Sequence, residues 1–186
     1  MGLRLQVKIK IQTETLPQKT LSHKLPFSFI VKSYALKYET FIPTTLDKAW
    51  DFFTSPLNLA KITLPDMKFV VTSEYSASDK VYAGMIITYF VSPLAGIKLR
   101  WMTEITHVKE KEYFVDEQRF GPYALWHHQH HFKQVEGGTM MTDIVNYAMP
   151  YGFLGRMANT LFVKKKLKEV FTFREEAIGH LFGRGK

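Results

Sequence analysis

There is no cysteine among the 186 residues. That excludes disulfides, thiolate nucleophiles and cysteine metal ligands, and it permits a reducing compartment. No apolar run approaches the ~20 residues that a membrane-spanning helix requires. The first residues also lack the continuous apolar stretch of a secretory leader. The expectation is a cytoplasmic protein with no stable membrane insertion. No glycine-rich phosphate fingerprint is found, and no Gly-x-Ser-x-Gly nucleophile elbow occurs, which argues against covalent hydrolytic catalysis.

An excess of one charge is present, but not where a nucleic-acid reader needs it. The net charge is +8, made of +5 in residues 1–33, −2 in 34–151 and +5 in 152–186. The basic residues sit at the two ends and the middle is near neutral. A nucleic-acid interface carries its basic stripe on the binding face, so none is expected here. Lys164-Lys165-Lys166 and Lys168 are read as the solvated face of a helix in preference to a contact with anionic lipid. With 46% apolar and 15% aromatic residues the chain has the material for a core, and its length suits one domain.

Leu3, Leu5, Val7, Ile9 and Ile11 alternate with polar residues as in a strand, but Pro17 and Pro26 follow. Residues 1–33 are therefore read as an extension outside a main domain spanning 34–186. Tyr34 to Ile42 predicts a strand. Thr44-Thr45-Leu46-Asp47 predicts a helix start with a hydroxyl cap, ended before Ser55-Pro56. A second short helix is expected from Pro56 to Ile62. Six strands then follow at Met67–Ser73, Val81–Val91, Gly96–His107, Glu112–Phe120, Ala124–Val135 and Thr139–Met149. The short turns between them favour an antiparallel meander. From Phe153 to Phe182 the period becomes helical, with Val163, Leu167, Val170, Phe171, Ile178, Leu181 and Phe182 on one face. Leu154, Met157 and Leu161 form a somewhat rotated stripe, so a bend or break is expected near Lys164-Lys165-Lys166.

The last two strands carry the chemistry. Side chains on a strand alternate faces, so Trp126, His128, His130 and Phe132 share one face, a mixture suited to the lining of a polar-centred cavity. His127 and His131 fall on the opposite face, expected to be solvated. Glu136-Gly137-Gly138-Thr139 is a hairpin signal. With Gly137 and Gly138 as the turn pair, Phe132 faces Asp143, His130 faces Val145, His128 faces Tyr147 and Trp126 faces Met149. His128, His130, Asp143 and Tyr147 then form one polar ring; a one-residue slip would present His127 and His131 instead.

Two imidazoles at this spacing, with Asp143 as a third ligand, are compatible with an open zinc or iron site. The favoured reading is a hydrogen-bonded polar cluster without metal or other cofactor, because buried polar groups need such partners. Asp116 and Asp143 are candidates for an acid/base pair in an apolar cavity. Trp101, Trp126, Tyr89 and Tyr147 are candidate stacking aromatics.

Several segments also resemble one family in order and spacing. They are Trp50-Asp51-Phe52-Phe53, Pro56-Leu57-Asn58-Leu59, Ile62-Thr63-Leu64-Pro65, Gly84-Met85-Ile86-Ile87, Trp101-Met102-Thr103-Glu104-Ile105 and Phe114-Val115-Asp116-Glu117-Gln118. Gly121-Pro122-Tyr123, Trp126-His127-His128 and the run Thr142 to Pro150 continue the pattern. Over about residues 34–182 the chain resembles the START-like, or SRPBCC, superfamily of birch-pollen-type allergens, polyketide cyclases and lipid-transfer domains. Within it the chain is most similar to bacterial stand-alone ligand-binding proteins. The resemblance implies an α+β helix-grip fold: a curved, antiparallel seven-stranded sheet wrapped around a long C-terminal helix, with two short helices after the first strand. It implies a cavity for a hydrophobic or amphipathic small molecule, and no particular reaction or oligomeric state.

The leading expectation is thus a binding protein. Trp126, Tyr147, Trp101 and Met157 would give apolar contact, while His128, His130, Asp143 and Asp116 would orient a polar head. A cyclase, dehydratase or isomerase using the same pocket is the second reading. The third is an interaction module acting through the basic ends.

Overall fold

The structure, a computed structural model, describes residues 32–93 and 96–183. The expected strand at Leu3–Ile11 and the rest of the basic N-terminal segment to residue 31 lie outside the described residues. Strand β1 spans Ser33–Ile42. Helix α1, Leu46–Phe53, starts where the hydroxyl of Thr45 accepts a bond from the Lys48 amide. A 3₁₀ helix fills Pro56–Ile62 and a further 3₁₀ turn covers Pro65–Met67.

Six strands follow: β2 Val70–Val71, β3 Ile86–Val91, β4 Leu99–Lys109, β5 Tyr113–Phe120, β6 Leu125–Val135 and β7 Gly138–Ala148. With β1 they form a seven-stranded antiparallel sheet in the order β1-β7-β6-β5-β4-β3-β2. The meander was expected, and β1 adds to it by pairing with β7 over its whole length. The β4–β5 register shifts between Met102 and Thr103 and again between Ile105 and His107. Such bulges bend and twist a strand.

The β6–β7 hairpin corrects the expected register. Val135 pairs with Gly138, so Glu136 and Gly137 form the turn. Only Gly137 has a positive φ, 75°. Gly138 is needed for another reason: a Cβ there would collide with the Ile42 carbonyl oxygen of β1. The pairs are therefore His130 with Asp143, His128 with Val145, Trp126 with Tyr147 and Phe132 with Met141. The shift moves each partner by two residues, so the same side chains stay on the same face.

The C-terminal helix runs without a break from Gly152 to Phe182 as α2 (Gly152–Ala158), a π-helical segment (Asn159–Val163) and α3 (Lys164–Phe182). Its Val163, Leu167, Phe171, Arg174 and Ile178 are buried against the inner face of the sheet. Phe171 stacks on Tyr38 of β1 with ring centroids 3.9 Å apart. A second apolar cluster packs Trp50 of α1 edge-on to Phe114 and Phe132. Each such side chain contributes about 1.5–3 kcal/mol by leaving water. Among the described residues no helix is long and apolar enough to cross a membrane.

Candidate functional site

The buried positions of β6 identify the inner face. His128, His130 and Phe132 are buried, and His127, Gln129 and His131 are half-exposed. On the outer face His127 bonds Glu117 and Gln129, and His131 bonds Gln129, forming a surface ladder. On the inner face β5, β6, β7 and α3 bring five ionisable groups together.

His128 Nε2 lies 2.8 Å from Asp143 Oδ1, and His130 Nε2 lies 2.8 Å from Asp116 Oδ2. The second nitrogen of each ring faces the other carboxylate. His128 Nδ1 is 3.4 Å from Asp116 Oδ2, and His130 Nδ1 is 2.9 Å from Asp143 Oδ1. The last pair lies outside hydrogen-bonding angles, so its attraction is electrostatic. The two imidazole centroids are 3.8 Å apart, and Phe114 stacks on His130 at 4.2 Å. Arg174 Nη1 reaches from α3 to within 3.6 Å of Asp143 Oδ1.

The electrostatics follow from this arrangement. Burial alone would raise both carboxyls, but the imidazoles outweigh it and hold Asp116 and Asp143 below the usual carboxylate range. Burial and the neighbouring His130 push His128 down despite the two carboxylates. Burial also acts against the charged form of His130, yet its hydrogen bond to Asp116 and the negative charge of Asp143 win and raise it. With His130 protonated and His128 neutral, two carboxylates face one imidazolium and one guanidinium. The cluster is then neutral overall, which makes its burial tolerable. Three of its buried atoms, His130 Nδ1, Asp143 Oδ2 and Arg174 Nε, have no hydrogen-bond partner among the described residues.

This cluster forms one wall of a cavity of about 350 Å³ between sheet and helix. Asp116, His128, His130 and Arg174 open onto it, while Asp143 is sealed behind the two rings. The other walls are apolar or aromatic, with Ile87, Phe69, Leu167 and Val170 among them. Trp101 meets Trp126 edge-on at 5.5 Å, and Tyr123 packs on Trp126 at 4.9 Å. A smaller polar spot lies on β4, where Thr103 Oγ1 accepts from the Trp101 indole N–H at 3.1 Å and is 3.0 Å from the Tyr89 hydroxyl.

Of the residues singled out in the sequence, the cavity wall contains Trp101, Trp126, His128, His130, Asp116 and Tyr89. Asp143 joins the cluster from behind. Tyr147 is buried but absent from the wall; its hydroxyl donates to Asn159 Oδ1 at 3.0 Å and does not touch the histidines. Met157 lies on the outside of the C-terminal helix with Phe153, Leu154 and, in the π-helical segment, Leu161, all exposed. Its expected ligand contact is not found, because the inward positions of that segment are Gly155 and Asn159. A Cβ on Gly155 would strike the Pro150 carbonyl oxygen, so α2 sits tight against the Met149-Pro150 segment that follows β7. Arg174 had not been singled out. The available signal was an arginine in an apolar stripe, at helical spacing from Phe171 and Ile178.

No protein-family model matches the chain, and no curated protein matches it. Solved structures do. Protein Ms6760 from Mycobacterium smegmatis is 18% identical, covering 79% of this chain and 89% of that one, with a TM-score of 0.59. Ginseng major latex-like protein 151 from Panax ginseng is 11% identical over 81% of this chain and 97% of that one, at 0.56. Ara h 8.0201 is 12% identical over 78% and 97%, at 0.53. These likenesses establish the fold. The chain has the START-like, birch-pollen-allergen-like helix-grip fold, with a curved seven-stranded antiparallel sheet against a long C-terminal helix.

Proposed function

We propose that the protein binds a hydrophobic or amphipathic small molecule in the cavity between sheet and helix, in a reducing compartment such as the cytoplasm. The observation that carries this reading is the 350 Å³ cavity, apolar and aromatic on most sides, with buried ionised groups converging on one wall. Its volume lies within the range of ~300–1,000 Å³ common for small-molecule sites, and the composition of its walls is typical of them. Trp101 and Trp126 hold the apolar body, while Asp116, His130 and Arg174 orient a polar head. The likeness to helix-grip proteins supports the same reading.

A fluorescent apolar probe, 1-anilinonaphthalene-8-sulfonate, should bind the purified protein one-to-one and quench Trp101 and Trp126. Val170→Trp, at a half-buried wall position, should abolish that binding with little loss of thermal stability. Probe binding that Val170→Trp leaves untouched would sink the proposal, as would native mass spectrometry and titration that both fail to find any bound apolar molecule.

One observation favours a second reading. The His130–Asp116 pair, hydrogen-bonded at 2.8 Å, opens onto the cavity. A cyclase, dehydratase or isomerase could use such a pair as acid and base. A rate that titrates once and disappears in His130→Asn would favour this reading over simple binding.

A further inference from the structure

The inner-face cluster also presents donor atoms at the spacing of a metal site. Asp116 Oδ2 is 2.8 Å from His130 Nε2 and 3.4 Å from His128 Nδ1. Donor atoms from these three residues all lie within 4.8 Å of one another. In a tetrahedral site with metal–ligand bonds of about 2.0–2.1 Å, donors stand about 3.3 Å apart, and the two measured separations bracket that value.

The surroundings are arranged as a metal site needs them. The other nitrogen of each ring lies close to one carboxylate oxygen, Asp143 Oδ1: His128 Nε2 bonds it at 2.8 Å, and His130 Nδ1 is 2.9 Å away but outside hydrogen-bonding angles. Histidine ligands commonly direct their second nitrogen to such a carboxylate, which fixes the ring and makes it a better donor. Asp143 is 0% exposed and sealed behind the rings, whereas Asp116 faces the cavity. The two carboxylates thus stand in different positions, one in front of the imidazole pair and one behind it.

We infer that Asp116, His128 and His130 form a site for a divalent transition metal of the zinc or iron class, open toward the cavity, with Asp143 positioning both histidines from behind. This differs from the sequence expectation, which favoured a metal-free cluster and placed Asp143 among the candidate ligands. Two imidazoles and one carboxylate, without a thiolate, suit zinc or non-haem iron and leave coordination positions free. With both rings neutral, a dication and Arg174 against two carboxylates sum to one positive charge. An anionic oxygen on the cavity ligand, such as a carboxylate, enolate or phenolate, would cancel it. The ligand class rests on the cavity-binding reading; the metal site does not.

The test uses the full chain without a polyhistidine tag, stripped by chelator and titrated with Co²⁺ alone, then Zn²⁺ alone. The expected result is one equivalent of Co²⁺ per chain, with visible d–d absorption, and competition by Zn²⁺. His128→Asn, His130→Asn and Asp116→Asn should each lower affinity by about 100-fold or more, and Asp143→Asn by about 10–100-fold. His127→Asn/His131→Asn, which alters only the outer ladder, should bind as wild type does. Circular dichroism on each variant identifies any that fail to fold, and the wild-type stoichiometry decides without them. Less than a tenth of an equivalent on wild type would overturn the site, as would Co²⁺ retained at full affinity by folded His130→Asn or lost only in the outer-face variant. Binding of 1-anilinonaphthalene-8-sulfonate by the same stripped sample reports the cavity separately, so failure of the metal site and failure of the cavity are distinguishable.

Discussion

Asp143→Asn is the substitution that tests most of this structure at once. Asp143 is fully buried, opposite His130 on one neighbouring strand and Tyr38 on the other. Its carboxylate accepts from His128 at 2.8 Å and lies 2.9 Å from His130 Nδ1 and 3.6 Å from Arg174. Asparagine keeps the size and one acceptor oxygen but loses the charge. Asp116 alone must then balance an imidazolium and a guanidinium in a buried setting. Breaking a buried ion pair by removing one partner costs about 3–5 kcal/mol. Because one acceptor oxygen remains, the lower end, about 3 kcal/mol, is expected. At about 2–4 °C per kcal/mol for a domain of this size, Tm should fall by about 6–12 °C in chelator-treated protein at neutral pH. If charge imbalance is the cause, removing Arg174 as well should restore part of the loss. Asp143→Asn/Arg174→Met should be more stable than the sum of the single changes by about 1–3 kcal/mol. Urea titrations of the four proteins give the cycle. A loss below about 1 kcal/mol for Asp143→Asn, or strict additivity in the cycle, would refute the account of the cluster as a charge-balanced unit.

Tyr147→Phe removes the one hydrogen bond that this hydroxyl makes among the described residues, to Asn159 Oδ1, and leaves a buried acceptor without that donor. It should cost about 1–2 kcal/mol of unfolding free energy while leaving probe binding unchanged, since Tyr147 is not in the cavity wall; weakened binding at unchanged stability would contradict that placement. The pH dependence of stability in chelator-treated protein should have a crest near the ordinary histidine value of about 6.5. Below it, His128, whose pKa is lowered on folding, leaves the unfolded chain binding the extra proton, so stability falls as pH drops. Above it, His130, raised on folding, keeps a proton that the unfolded chain has lost, so stability declines as pH climbs through the folded value. Urea midpoints from pH 5.5 to 9 measure both limbs, and the decline on the alkaline side should be absent from His130→Asn.

The strands were legible because their period and turns are local properties, and the misplaced boundaries have local causes. The run Met67–Ser73 keeps only Val70–Val71 as strand, since Pro65 opens a 3₁₀ turn and Lys68 takes a left-handed φ of 44°. Val81–Val91 becomes strand only at Ile86, after a turn in which Gly84 has a φ of 92°. The shared face of His128, His130 and Asp143 was legible for a firmer reason. The hairpin was misplaced by one turn residue, which shifts partners by two and preserves side-chain parity. What the hairpin could not show was Asp116 arriving from β5, because no local signal fixes the β5–β6 register. The two adjacent glycines were also ambiguous: Gly137 in the turn answers to backbone φ, and Gly138 at the start of β7 to the approach of β1 from almost a hundred residues away.

The helix shows why the remaining site residue, Arg174, escaped notice and why Met157 was misplaced. Its buried positions run 155, 159, 163, 167, 171, 174 and 178. Steps of four in a regular helix, at 100° per residue, advance the face by 40° each. From 155 to 171 the drift would reach about 160°, carrying Gly155 to nearly the opposite side from Phe171. The π-helical turn at Asn159–Val163 absorbs part of this rotation, so Gly155 and Asn159 stay against the sheet while Leu154, Met157 and Leu161 turn outward. An α-helical reading of the sequence prefers those apolar side chains for the inner stripe, because it has no means of registering the wider turn. The polarity of the two inward residues is explained by their contacts. Gly155 allows close approach at Pro150, and Asn159 accepts from Tyr147. Further along, the same helix presents Arg174 to Asp143, where an apolar residue would leave two carboxylates facing a single imidazolium. The helix therefore serves as more than a cover for the cavity: it supplies the charge that lets two buried carboxylates remain ionised beside it.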